Sequence, residues 1–282
     1  MVKRSVTVGG IPRGTIARIP SNSERPVRAI GKCPTFANGA PGHHDPHTVA
    51  CPKLRIDAKH PMNVLIIYAH PEPTSFTGAM RDAAVRALQG GGHAVEVSDL
   101  HAEVFNPVAG RHDFTTAADP HRFHYQSEQL HASKTNGFAA DLQREQGRVT
   151  RADLLIFLFP VWWGGLPAIL KGWFDRVLAY GFAYADGMRF EKGFYRGRRA
   201  LMGITTGGTE ERFSAGGVYG EIEQVLYPVR RCMLEYLGLE VANPFVAYAA
   251  PRVDQAVRER YLVEWTATLR RIADDPMWRD SR

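Results

Sequence analysis

Three short stretches carry side chains able to do chemistry together. His70-Pro71-Glu72-Pro73-Thr74-Ser75-Phe76-Thr77 sets hydroxyls, backbone N–H groups and an imidazole at what reads as the start of a helix. Unpaired N–H groups and the helix dipole both favour negative charge there, which suits a phosphate or pyrophosphate. Thr74 or Ser75 would equally serve as a plain helix N-cap. Pro160-Val161-Trp162-Trp163-Gly164-Gly165-Leu166-Pro167 puts adjacent indoles where a loop is normally polar. Large rings beside bare backbone donors suit a planar heteroaromatic ligand, and the same indoles would also serve as core or subunit contacts. Thr205-Thr206-Gly207-Gly208-Thr209 has glycines that let a ligand approach the main chain and N–H groups that can offset its negative charge. A phosphate cradle, an aromatic turn and a glycine turn at one place describe a flavin site. Neither the GxGxxG dinucleotide fingerprint nor the GxxxxGKS/T phosphate loop occurs.

Each stretch follows an apolar run that has to position it. Met62 leads into Val64-Leu65-Ile66-Ile67-Tyr68, a continuous apolar run typical of a parallel strand covered on both faces. Further strands are expected over Ala94 to Leu100, Asp153 to Phe159, Ala200 to Thr205 and Leu239 to Val246. Helical spacing is expected over 76–89, stopped by Gly90-Gly91-Gly92, and over about 137–151, 167–180, 219–237 and 253–273. Pro167 fits the start of a helix whose apolar face holds Leu166, Ile169, Leu170, Trp173, Phe174, Val177 and Leu178. Strands alternating with helices predict an α/β protein with a doubly wound parallel sheet of five strands, because parallel neighbours need crossovers. Such sheets bind ligands beyond the carboxyl ends of their strands, where the three stretches lie.

Composition divides the chain in two. Residues 1–61 hold 10 Lys and Arg against 3 Asp and Glu, whereas residues 62–282 hold 25 against 26. The pI near 9.3 therefore belongs to an arm and not to a nucleic-acid-binding body. The arm, with 8 Pro and 6 Gly, lacks a sustained apolar period and is expected to be disordered or not native, with Met62 an alternative start. Residues 62–282 are expected to form one domain. No apolar run reaches about 18 residues, so no direct membrane insertion is expected. Nor does the N-terminus carry a secretory apolar core, and a cytoplasmic location follows as the default. Cys33, Cys51 and Cys232 make no disulfide framework, and His43, His44 and His47 stand in a Pro- and Gly-rich basic arm with nothing to fix a ligand geometry, so no metal is expected.

A wider set of motifs adds to this reading. Tyr68-Ala69-His70-Pro71-Glu72 with Thr74-Ser75-Phe76 is followed by Phe105-Asn106-Pro107 and by Ala152-Asp153-Leu154-Leu155-Ile156-Phe157 running into Pro160, Trp163 and Gly165. Pro167-Ala168-Ile169-Leu170-Lys171-Gly172-Trp173-Phe174 and Ile204-Thr205-Thr206-Gly207-Gly208 complete it. Over residues 62 to about 272 the sequence resembles the flavodoxin-fold NAD(P)H:quinone reductases.

That resemblance implies a flavodoxin-like fold, a homodimer, a bound flavin (FAD in most members, FMN in some) and hydride transfer from NAD(P)H to a quinone. It assigns His70, Phe76 and Thr77 to the pyrophosphate, with Thr77 standing where the family has Asn. Val161, Trp162, Trp163 and Gly164, with Thr205, Thr206, Gly207 and Gly208, are assigned to the isoalloxazine. Arg258 is assigned to the adenine half, and Ala183 and Tyr184 to a wall that the partner subunit places over nicotinamide and quinone. Phe213 and Tyr219 occupy the positions of a Tyr and a His that handle charge on reduced flavin in the mammalian members. Phe213 cannot donate a proton, which leaves Tyr219 as the available hydroxyl. Asp186 stands where the family has Tyr in the acceptor pocket. Donor and acceptor sharing one site would give ping-pong kinetics. Two other classes share the superfamily: a flavoprotein regulatory subunit of a potassium efflux transporter, and a one-electron carrier, typically shorter and more acidic.

Overall fold

Strands that must be covered on both faces cannot alternate polar and apolar residues, and the central strands do not. The computed structural model describes residues 61–275. The basic arm through residue 60, with Cys33, Cys51, His43, His44 and His47, lies outside the described residues. In β1 (Asn63–Tyr68) every residue after Asn63 is buried, and all of β3 (Leu154–Pro160) and β4 (Arg199–Thr205) is buried. β2 (Ala94–Asp99) is the more exposed edge strand. The order β2-β1-β3-β4 continues into a fifth position shared by β5 (Glu240–Val241) and β6 (Phe245–Ala247), and every described pairing is parallel.

Side-chain direction alternates along these strands and divides the core. Val64, Ile66, Leu154, Ile156, Leu158 and Leu201 face α1 (Phe76–Gly90) and α6 (Gln255–Ala273), packing on Met80, Leu88, Trp265 and Leu269. Leu65, Ile67, Leu155, Phe157, Phe159, Met202 and Ile204 face the opposite layer. That layer comprises α2 (Tyr125–Thr135), α3 (Ala140–Arg151), α4 (Ala168–Val177) and α5 (Ile222–Val229). Burying each such side chain contributes about 1.5–3 kcal/mol. Gly203 is required because a Cβ there would come 2.5 Å from Leu158 and 2.9 Å from the Trp265 ring. Trp265 in turn donates its indole N–H to the Met80 carbonyl at 3.0 Å, joining α6 to α1.

Three sequence expectations are corrected. The strand expected over Leu239 to Val246 is two short strands: the Ala242 N–H still donates to Ala200, but Pro244 lacks an N–H and the ladder is interrupted before β6. The helix expected over 219–237 keeps α-form only as α5, which contains Pro228; a π-turn (Arg230–Leu234) and a 3-10 turn (Glu235–Leu237) follow. An additional helix, α2, precedes α3, which itself starts at Ala140 rather than 137.

Register lines up the carboxyl ends. Tyr68 pairs with Leu158, and Pro160 with Thr205. The chain leaves β1 toward β2 on one side and later enters β3 on the other, so the crevice of an open sheet lies between β1 and β3. No helix of the described residues is long and apolar enough to cross a membrane.

Candidate functional site

The loop after β1 is held rigidly against the helix it starts. Ser75 is the N-cap of α1, its Oγ accepting from the Gly78 N–H at 3.1 Å. Thr74 is not the cap: its N–H and hydroxyl both donate to Glu72 Oε1, at 2.8 and 2.6 Å, and these bonds lower the Glu72 pKa. A Cβ on Gly78 would lie 2.1 Å from the Pro73 carbonyl oxygen, so only glycine lets the loop close on the first turn. That turn carries no acidic residue, which keeps its dipole available to an anion. His70 places Nδ1 within 3.0 Å of the Glu72 N–H and 3.1 Å of its carbonyl oxygen, and burial pushes its pKa down. Its ring lies 6.2 Å from that of Trp162.

The loop after β3 is a tight turn. Trp162 and Gly165 exchange backbone hydrogen bonds at 3.1 and 3.0 Å, and the two central residues, Trp163 and Gly164, have φ of 50° and 69°. Positive φ at both central positions is the primed geometry that favours Asn and Gly, and a bulky side chain there is strained. The strained residue is the one that projects fully into solvent, at 106 % relative exposure, with Trp162 at 43 %. These indoles are therefore not core. No atom lies within 4 Å of a Cβ built on Gly164 or Gly165, so the turn presents an open face. Strain of this kind concentrates at ligand sites.

The loop after β4 is tied on both sides. Thr206 donates its N–H to Ala247 and its hydroxyl to the Gly208 carbonyl, while Ala249 and Ala250 donate back to Gly208 and Thr206. Gly207 faces open space, and its carbonyl accepts from Arg252. Phe213 and Tyr219 meet at a tilt beside Gly208 with ring centroids 5.0 Å apart, and Tyr219 is half-exposed. Phe213 also meets Tyr248, whose hydroxyl is pushed up to about 12, first by burial and then by Glu210 and Glu223.

Thr205 brings the three loops together. Its carbonyl accepts from the Val161 N–H at 2.9 Å, its hydroxyl lies 3.0 Å from that of Thr77 in the first turn of α1, and it leads directly into Thr206. Pro160, expected in a loop, is the last residue of β3 and pairs with Thr205. Arg258 lies on α6 and donates to the carbonyls of Ala250 and Pro251, bracing the segment that holds Thr206. Ala183, Tyr184 and Asp186 belong to the excursion between α4 and β4. Ala183 is fully buried in its own chain. Tyr184 packs on Tyr180 and Tyr236 and accepts from Gln126, and Asp186 pairs with Arg189 at 3.5 Å, so these bonds stay outside the three loops. Residues 247–252 form a fourth carboxyl-end loop, with Tyr248 and Arg252, that sequence reasoning missed. Its signal in the sequence is the Asp254 N-cap of α6, which sets off a short connection after the fifth strand position.

Comparison with known proteins agrees with this geometry. A family of flavodoxin-like fold matches residues 62–269. NAD(P)H dehydrogenase (quinone) 1 of Cavia porcellus is 43% identical over 212 residues, covering 75% of this chain and 77% of that protein. The chain belongs to the NAD(P)H dehydrogenase (quinone) family of oxidoreductases. Another member, human ribosyldihydronicotinamide dehydrogenase (quinone), is 40% identical over 210 residues, covering 74% of this chain and 91% of that protein. A Klebsiella pneumoniae structure, solved as a candidate quinone reductase, superposes with a TM-score of 0.72 at 37% identity, covering 75% of this chain and 85% of the other.

Proposed function

We propose that this chain is a flavin-dependent two-electron reductase that takes hydride from NAD(P)H and delivers it to quinones or similar acceptors. The observation that carries the reading is the convergence on Thr205 of an acid-free helix start, a strained aromatic turn and a glycine turn, all at one sheet edge. Around them Gly164, Gly165 and Gly207 leave backbone open to a flat ligand, which fits a flavin. When bound, the flavin supplies hydride acceptance and donation; FAD is the form proposed, with FMN the alternative.

The chain's own residues bind, orient and balance charge. His70, Ser75, Phe76 and Thr77, with the first-turn N–H groups of α1, would receive the phosphates, and Thr74 shapes the loop through Glu72. Pro160, Val161, Trp162, Trp163 and Gly164 would support the ring system. Donor groups of Thr205, Gly207 and Gly208 would offset the negative charge that develops on it, a preorganised role typically worth about 2.7–4 kcal/mol for one such donor, while Thr206 holds the turn through its own bonds to Ala247 and Gly208. Tyr219 carries the nearby hydroxyl, while Phe213 packs it in place. Arg258 supports the 250–251 backbone toward the adenine half. In a homodimer, a second copy would offer Tyr184 and Asp186 as the surface over the acceptor, with Ala183 packing behind them.

One open face serving donor and acceptor in turn requires that the oxidised nicotinamide leave before the acceptor enters. Initial rates measured against NAD(P)H at several quinone concentrations should give parallel double-reciprocal lines. Intersecting lines would contradict a shared face, and absence of NAD(P)H-dependent turnover in flavin-loaded protein would overturn the reading itself.

A further inference from the structure

The Thr77 and Thr205 hydroxyls lie 3.0 Å apart and bridge residues 128 positions apart in sequence. Thr77 is 1% and Thr205 6% exposed, so water does not complete their bonding freely. Two hydroxyls carry two protons, and the bond between them uses one. Neither side chain has another hydrogen bond among the described residues, so one proton of the pair lacks an acceptor among them. Either oxygen can be the donor, and the remaining proton can be presented from either end.

The pair lies where the first helix turn meets the ends of β3 and β4. Thr77 fixes the first turn of α1, whereas Thr205 holds Val161 through its carbonyl and leads into the glycine turn. A shift of a few tenths of an ångström in this contact would change the separation of the phosphate-receiving and ring-receiving loops together. On the flavin reading above, on which this inference rests, we infer that Thr77 and Thr205 form a positioning pair. Their mutual bond sets the spacing of the cradle, and their second proton is donated to an acceptor atom of the bound flavin. Loss of either hydroxyl removes the mutual bond and with it the spacing, while the remaining hydroxyl keeps a proton of its own.

The test is flavin titration of purified full-length apoprotein, followed by fluorescence quenching, with thermal midpoint and flavin reduction potential measured on the same samples. Thr77→Val and Thr205→Val keep shape and remove one hydroxyl each. Each should raise the flavin Kd roughly tenfold, the factor expected for one hydrogen bond, and shift the potential. The double variant should be less than multiplicatively worse than the single ones, because both substitutions remove the same bond. Thr77→Ser should restore Kd and potential. If a valine variant fails to fold, Thr77→Cys, with its weakly bonding thiol, should report the same loss. Unchanged Kd and potential in folded variants, or fully multiplicative effects in the double variant, would overturn the positioning pair. Failure of the parent protein to take up FAD or FMN would overturn both this inference and the reading beneath it.

Discussion

The ring of Phe213 lies 5.0 Å from the ring of Tyr219, and both press on the same side of Gly208. A Cβ at Gly208 would meet Phe213 at 2.9 Å and Tyr219 at 3.2 Å, whereas nothing lies within 4 Å of one at Gly207. Adjacent glycines therefore serve different ends. Gly208→Ala should destabilise by about 1–3 kcal/mol through overpacking. In a domain of this size each kcal/mol lowers the melting midpoint by roughly 2–4 °C. Gly207→Ala should melt like the parent and still bind flavin more weakly, because its methyl enters the open face. Calorimetry with flavin titration separates the two, and equal melting shifts would refute the distinction.

Trp163 pairs strain with exposure, and the two can be separated by substitution. Left-handed backbone costs an L-residue about 1–2 kcal/mol, from which Gly is largely exempt, although Gly gives back about 0.5–1 kcal/mol in chain entropy. Trp163→Gly should therefore leave the melting midpoint of the apoprotein unchanged or higher while raising the flavin Kd by roughly three- to tenfold, the value of one lost aromatic stacking contact. A lower midpoint with unchanged flavin affinity would mean that the indole serves folding rather than the ligand.

Much of this edge was legible because the parts that build it obey single rules. β1, β3 and β4 read as continuous apolar runs since both faces are covered, and α4 read from its stripe of Leu170, Trp173, Phe174 and Val177. What escaped was governed by tertiary hydrogen bonding. α2 buries Glu128 and Gln129, with Gln129 bonded to the Asp175 carbonyl and the Tyr180 N–H, so it shows no apolar period to read. The π-turn after α5 follows Pro228, whose position was visible but whose outcome depends on packing. Likewise, Trp163-Gly164 announced a turn, but positive φ on the tryptophan is set by the backbone exchange between Trp162 and Gly165. The Thr77–Thr205 contact joins two motifs that were each recognised separately, and no local pattern encodes their meeting.

His70 gives the site a signed pH dependence. Burial, aided by the neighbouring His101 charge, lowers its folded pKa below the usual value near 6.5, against an opposing backbone contact with Glu72. The unfolded chain therefore takes up the proton first as pH falls, and stability declines from about pH 6.5 downward until the folded pKa is passed. The apoprotein should lose more of its melting midpoint between pH 7.5 and 5 than His70→Asn does. Bound phosphate, being anionic, should raise the His70 pKa again, seen as a shift to higher pH of the midpoint at which its ring resonances titrate by NMR. Identical pH profiles for parent and variant would remove His70 from this role.

The proposed flavin would rest at the edge defined by Ser75, Trp163 and Gly207. Heat release of the chromophore from purified protein, with chromatography against FAD and FMN standards, tests it most directly. The predicted result is a yellow protein that releases one FAD per chain. A colourless protein that remains colourless after incubation with both flavins would contradict it.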